Sequence, residues 1–225
     1  MNHILNIHTT TETAIVNICD EKKVIATMSN SDSKEHAKFL HVAIHKILGE
    51  NNIDINKLKA IGVTNGPGSY TGIRVGLATA KGLSFSLKIP LITFNALEVM
   101  IISALEKTGD KNALYCPIID ARRMEVFTGV YEADMAEVIP PSAIILEPDT
   151  FEEIRPDQSI YFFGNGSKKL ESLNVKRQNF KFIEQAITSE VLCQYSSKKF
   201  QQKKFDNVAF AEPLYIKEFY TPAKK

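Results

Sequence analysis

The sequence predicts an α/β protein of two successive mixed sheets, each flanked by helices. Three observations carry that expectation. Short apolar runs of strand length alternate with longer stretches of helical periodicity along most of the 225 residues. Each half opens with three consecutive strand-like runs before helix and strand begin to alternate. Between the halves, Thr108-Gly109-Asp110-Lys111-Asn112 forms a polar break of turn-forming residues, a plausible boundary.

Taken in order, residues 3–8, 13–19 and 23–28 read as three strands. Turns at Thr9-Thr10-Thr11-Glu12 and Asp20-Glu21-Lys22 join them. A polar link over 29–33 leads into a helix expected over 34–48, with Asp32 and Glu35 spaced for a capping box and Gly49 placed as the stop. Ala37, Leu40, Ala43, Ile44, Ile47 and Leu48 give that helix a broad apolar face. Ala60, Ile61, Val63 and Thr64 make a buried strand, Gly66-Pro67-Gly68 break the chain, and a helix capped by Ser69 or Thr71 runs to about Leu87, ahead of Pro90. A strand over 91–94 and a helix over 95–107 complete the half as βββαβαβα, the order of the ribonuclease-H-like fold. In the second half, strands are expected over 113–119, 125–131 and 143–146. A short helix over 148–154, a strand over 160–163, a short helix over 167–173 and a strand over 180–183 precede a closing helix over 189–202. This is a shrunken copy of the first half, so two domains are expected, 1–108 and 109–225.

The helix after the glycine turn is unusual in where it is small. Gly72, Gly76, Ala80 and Ser84 recur every four residues and form one ridge almost without side chains. Two interior glycines cost roughly 1 kcal/mol each against Ala. Something must therefore come close: another helix, the sheet beneath, or a phosphate at the helix N-terminus. The preceding turn matches neither G-x-x-x-x-G-K-[ST] nor G-x-G-x-x-G. Gly66 and Gly68, with Thr9 and Thr10 of the first turn, are thus only weak candidates for touching a nucleotide.

Composition excludes several functions. A net charge of +1 argues against a strongly basic nucleic-acid binder, although local patches can exist. Cys19, Cys116 and Cys193 are odd in number and lack metal-type spacing, as expected of reduced packing residues in the cytoplasm. The N-terminus enters a strand pattern directly, without a signal peptide, and no apolar run reaches the length of a membrane span. His41 and His45 lie four apart near His36, but two imidazoles without a third ligand make a weak metal site, and a helix edge is the better reading. Ser69 lacks the nucleophile-elbow pattern, so a peptidase triad finds no support. Asp120 to Glu125 reads as an ion-paired turn and Gly164-Asn165-Gly166-Ser167 as a structural turn. Lys168, Lys169, Lys176, Arg177, Lys198, Lys199, Lys203 and Lys204 form local basic runs, usually a solvated face.

The run from Asn65 to Leu83, NGPGSYTGIRVGLATAKGL, closely resembles the hallmark of TsaB proteins, formerly called YeaZ and labelled glycoprotease-like. The resemblance extends to Ile4–Glu12, Ile119–Phe127 and Pro213–Lys217, and so covers both halves. It implies two domains of the actin/hsp70/sugar-kinase-like class. It further implies a non-catalytic subunit that supports the TsaD transferase in moving a threonylcarbamoyl group to adenosine 37 of ANN-decoding tRNAs, with TsaE as a further partner. A homodimer is expected in the absence of TsaD, contact with tRNA mainly through the complex, and no cofactor or metal. Two departures from active relatives fit that role. His8 stands where TsaB proteins commonly have Asp, and imidazole replaces a hard carboxylate poorly as a magnesium ligand. The paired metal-binding histidines of TsaD fall on Ala96 and Met100. By the family's pattern the first two helices of the first half would dock the partner, with His36, Phe39, Ala43, Gly72, Arg74, Gly76, Ala78, Ala80, Lys81 and Ser84 on the contact face. The alternatives are an autonomous ATP-dependent enzyme of the sugar-kinase type or, with less support, a glycoprotease-type peptidase.

Overall fold

The computed structural model describes residues 2–21, 23–32, 35–175 and 177–217. Its first sheet starts as an antiparallel meander of β1 (His3–His8), β2 (Ala14–Asp20) and β3 (Lys23–Asn30). Two parallel strands then extend it beyond β1, β4 (Leu58–Gly66) and β5 (Leu91–Asn95), for an order β3-β2-β1-β4-β5. Burial follows position in the sheet. Central β1 and β4 are buried on both faces, whereas edge strand β3 alternates exposed and half-buried residues. The helices are α1 (His36–Glu50), α2 (Tyr70–Leu87) and α3 (Ala96–Thr108). Ser69 Oγ caps α2 by accepting from the Gly72 amide at 3.3 Å, and Asn95 Oδ1 caps α3 by accepting from the Leu97 amide at 2.9 Å.

The second sheet repeats this plan. It contains β6 (Leu114–Asp120), β7 (Glu125–Tyr131), β8 (Glu137–Ile145), β9 (Ile160–Phe163) and β10 (Phe180–Phe182), in the order β10-β9-β6-β7-β8. Again the first three strands are antiparallel and the last two parallel, so both halves carry the ribonuclease-H-like topology expected from the element order. One short helix, α4 (Ser167–Ser172), follows β9.

Four local expectations need correction. The capping box at the start of α1 does not form: Glu35 occupies the cap position without a side-chain bond, and its carboxylate meets Lys38 Nζ at 2.9 Å. Gly49 lies inside the last turn of α1, and Asn51 closes the helix by donating from Nδ2 to Ile47 O at 2.8 Å. Residues 148–154 form consecutive turns rather than a helix, while the strand expected over 143–146 begins much earlier, at Glu137, and runs through Pro140 and Pro141. Those prolines are tolerated because β8 is the sheet edge.

The last segments do not stay with the second sheet. Helix α5 (Ser189–Gln201) packs back onto the first: Asn17 Nδ2 donates to Ser189 O at 2.9 Å, and Val191, Leu192 and Cys193 join the cluster containing Ile4, Ile15 and Phe94. Residues 205–217 then form a strap over the first lobe. The Asp206 amide donates to Leu91 O at 2.9 Å and the Leu214 amide to Asn65 O at 2.7 Å, while Lys81 Nζ holds the Ala209 and Ala211 carbonyls at 3.3 and 2.9 Å. Lys217 Nζ ends the strap on Glu125 Oε1, at 2.6 Å, in the second lobe. The core has one apolar cluster on the α1–α2 side of the first sheet, a second on its α3–α5 side, and a third within the second lobe. The α3–α5 cluster reaches Tyr115, Tyr131 and Phe163, so apolar packing is continuous between the halves.

Candidate docking face and interlobe cleft

The small-residue ridge of α2 faces inward. A Cβ on Gly72 would collide with Thr9 O, and one on Gly76 with Thr9 Oγ1. The Thr9 hydroxyl itself donates to Gly72 O at 2.7 Å. Ala80 and Ser84 continue the ridge and are buried. The glycines thus let α2 settle on the end of β1, and the expectation that Gly72, Gly76, Ala80 and Ser84 meet a partner is corrected: their own chain covers them. On α1, His36 and Ala43 are buried too, with the His36 Nε2 to Glu12 O contact at 3.0 Å, and Phe39 is half-buried. Lys81 is occupied by the strap, and Arg74 Nε donates to Tyr215 Oη at 2.7 Å. Of the expected contact set, only Arg74 and Ala78 are exposed.

What α2 presents outward is a second small ridge, two residues out of phase with the first: Ala78, Gly82 and Ser86. It shares the four-residue period, so that period was a signal for both ridges. A Cβ on Gly82 would meet nothing within 4 Å. Between this ridge and His41, His45 and Gly49 of α1 lies a groove of about 650 Å³, with Ile44, Leu48 and Leu83 in its walls. Val42 is 65% and Phe85 78% exposed on these two helices. Large apolar side chains beside an apolar groove mark an interaction face.

The cleft between the lobes is chemically quieter. His8 is fully buried, with Nδ1 3.0 Å from Thr64 Oγ1 and Nε2 2.7 Å from Thr11 Oγ1. Burial, and secondarily the charge of His36, pushes its pKa down to about 3, so the ring is neutral and both nitrogens are engaged. Gly66 and Gly68 adopt φ of +126° and +147°, conformations natural to glycine. A Cβ would strike Leu214 O at Gly66 and Thr10 O at Gly68, and the Ser69 amide donates to Thr10 O at 2.7 Å. Thr9, Thr10, Gly66 and Gly68 therefore pack against one another and the strap, an arrangement that buries Thr9, Thr10 and Gly66 and leaves Gly68 half-buried. A cavity of about 90 Å³ lies nearby, lined by Thr11, Glu12, Met100 and Asn165 among others. That is well under the ~300–1,000 Å³ typical of small-molecule sites.

Other candidates resolve as structure. Ala96 and Met100 are buried side chains of α3 in the α3–α5 cluster. Asp120 Oδ1 pairs with Lys169 Nζ at 2.8 Å and accepts from the Arg122 amide at 2.6 Å, while Asn165 Oδ1 accepts from the Asp120 amide at 2.9 Å. Lys199 Nζ donates to Thr93 O at 2.9 Å; Lys198, Lys203 and Lys204 are exposed, and Lys176 lies outside the described residues. Among the described residues, no three His, Cys, Asp or Glu side chains gather as a metal requires, and no helix is long and apolar enough to cross a membrane.

Comparison with known proteins places this geometry in context. Residues 23–218 match the family model described as TsaD, tRNA N6-adenosine threonylcarbamoyltransferase. The "tRNA threonylcarbamoyladenosine biosynthesis protein TsaB" of Bacillus subtilis is 33% identical over 72% of the chain and 70% of its own length. Among solved structures, YeaZ from Pseudomonas aeruginosa superposes with a TM-score of 0.79 at 21% identity, covering 96% of the chain and all of the neighbour. A structure described as an uncharacterized protein with similarity to peptidase YEAZ, from the same organism, gives a TM-score of 0.81 at 21% identity with the same coverage. These two likenesses establish the fold.

Proposed function

The chain belongs to the TsaB family, and from that premise we propose that it is a non-catalytic subunit in tRNA threonylcarbamoyladenosine formation. In this reading it binds the TsaD transferase and supports threonylcarbamoyl transfer to adenosine 37 of ANN-decoding tRNAs. The observation that carries the reading is the outward face of α1 and α2, where Val42 and Phe85 stand exposed beside the groove rimmed by Ala78, Gly82 and Ser86. Small residues let helix axes approach closely, so a facing helix pair can seat in that groove with dense packing. The same face serves self-association when the transferase is missing, and TsaE joins the assembled pair.

The neutral, buried state of His8 and the apolar side chains at Ala96 and Met100 support a partner role over independent chemistry. The test is co-expression with TsaD followed by size-exclusion chromatography and a modification assay that omits each protein in turn. Gly82 and Val42 are exposed, so Val42→Asp should leave folding stability within about 0.5 kcal/mol and Gly82→Arg should, if anything, stabilise the helix by up to about 1 kcal/mol. Both should abolish the complex and the modification. A normal complex with these folded variants would move the partner elsewhere, and modification or ATP turnover by the isolated chain would end the non-catalytic reading.

A further inference from the structure

Away from the helical face, one surface combines aromatic rings with uncompensated positive charge. Where the strap crosses between the lobes, a cleft of about 180 Å³ is lined by Gly68, Tyr70, Ala121, Glu125, Tyr215 and Lys217 among others. It falls below the ~300–1,000 Å³ that encloses a small molecule, and so suits one protruding group of a larger partner. Tyr70 and Tyr215 stack with ring centroids 5.2 Å apart, and the Arg74 guanidinium lies 4.0 Å from the Tyr70 centroid. Tyr215 remains 40% exposed.

The turn that supplies Ala121 and Glu125 also carries Arg122 and Arg123, both exposed. The acids of that turn already have partners: Asp120 has Lys169 and Glu125 has Lys217. Among the described residues the two guanidinium charges are therefore in excess at this edge, on a chain whose net charge is only +1. Aromatic rings beside basic side chains in an open groove grip unpaired RNA, with bases held by stacking and phosphates by charge.

We propose that this cleft holds an unpaired stretch of the substrate RNA, a base against Tyr215 and neighbouring phosphates at Arg122 and Arg123. The inference rests on the chain being a subunit of a tRNA-modifying assembly, but none of the residues altered to test it lies on α1 or on the Ala78, Gly82 and Ser86 ridge. An acidic peptide would satisfy the arginines and leave the tyrosine ring without a role, so RNA is the better match.

The probe is an unmodified transcript of an ANN-decoding tRNA, labelled for fluorescence anisotropy and titrated with the full chain in complex with TsaD. Arg122 and Arg123 have φ of 74° and 48°, a region Asn tolerates, so Arg122→Asn with Arg123→Asn removes both charges with little strain. This double variant should bind about tenfold more weakly or worse, and the slope of log K against log salt should shrink by roughly 1.5, the worth of two phosphate contacts. Tyr215→Leu should weaken binding about tenfold without changing the slope, whereas Tyr215→Phe keeps the ring and the affinity. Lys198→Ser with Lys203→Ser, on α5 and just beyond it, should change nothing. Wild-type affinity and slope in the arginine variant would overturn the proposal, as would failure of the complex to bind the transcript. So would an arginine variant that loses TsaD on the sizing column yet keeps its RNA affinity, which would make the cleft a protein contact. Failure of the unaltered chain to form the complex is a separate result and would count against the docking reading instead.

Discussion

His8, at a position where the family resemblance leads one to expect a carboxylate, behaves as part of the interior. Its ring spans from Thr64 to Thr11, with burial holding the pKa near 3 against 6.5 for a free side chain. The sign of the pH effect follows. Between those values the unfolded chain takes up a proton that the folded chain refuses, so the stabilisation is complete above pH 6.5 and is lost as pH falls toward 3. One such group contributes at most about 1.4 kcal/mol per pH unit, or about 2 kcal/mol between pH 6.5 and 5. Urea unfolding at the two pH values should show that loss in the natural chain and a smaller one in His8→Gln; equal losses would mean another group is responsible. The imidazole's identity was plain in the sequence. Its burial was not, because Thr64 and His36, unlike the adjacent Thr11, are distant in the chain and only the fold brings them to the ring.

Helix α2 separates its functions by face, and two glycines in the same helix should respond oppositely to the same change. Gly76→Ala forces a methyl group onto Thr9 Oγ1 and should destabilise by about 1–3 kcal/mol. Gly82→Ala meets open space and should stabilise by up to about 1 kcal/mol through helix propensity. Denaturant midpoints of the two variants decide the matter, and a shared sign would contradict the assignment of inner and outer ridges. The helix, its Ser69 cap and its stop before Pro90 were legible from local pattern, because those are set by residues within a few positions. The orientation was not. A four-residue spacing of small side chains marks close approach without saying which neighbour approaches, and Gly72, Gly76, Ala80 and Ser84 proved to be spaced for the chain's own β1.

At the scale of the molecule, two mixed sheets of ribonuclease-H-like class were readable because three strands followed by alternating helices and strands leave few ways to pair. The destination of α5 was not readable, since its apolar stripe of Val191, Leu192 and Cys193 fits either sheet equally well as a pattern. The structure spends it on the first lobe, against Ile4, Ile15 and Phe94. We therefore propose that a fragment ending at residue 108 is a topological unit without an intact core. A chain stopped at residue 188 should likewise bind ANS and lose its cooperative thermal transition, whereas one stopped at 217 should keep it. A fully cooperative 1–188 fragment would contradict this. The same return has a consequence during synthesis. The ribosome completes the first five-stranded sheet long before it makes the helix that shields it, and 81 residues separate positions 108 and 189. At roughly 5–20 residues per second, that sheet waits some 4–16 s with one greasy side covered by α3 alone. Nascent chains arrested in this window are where a ribosome-associated holdase should crosslink most strongly.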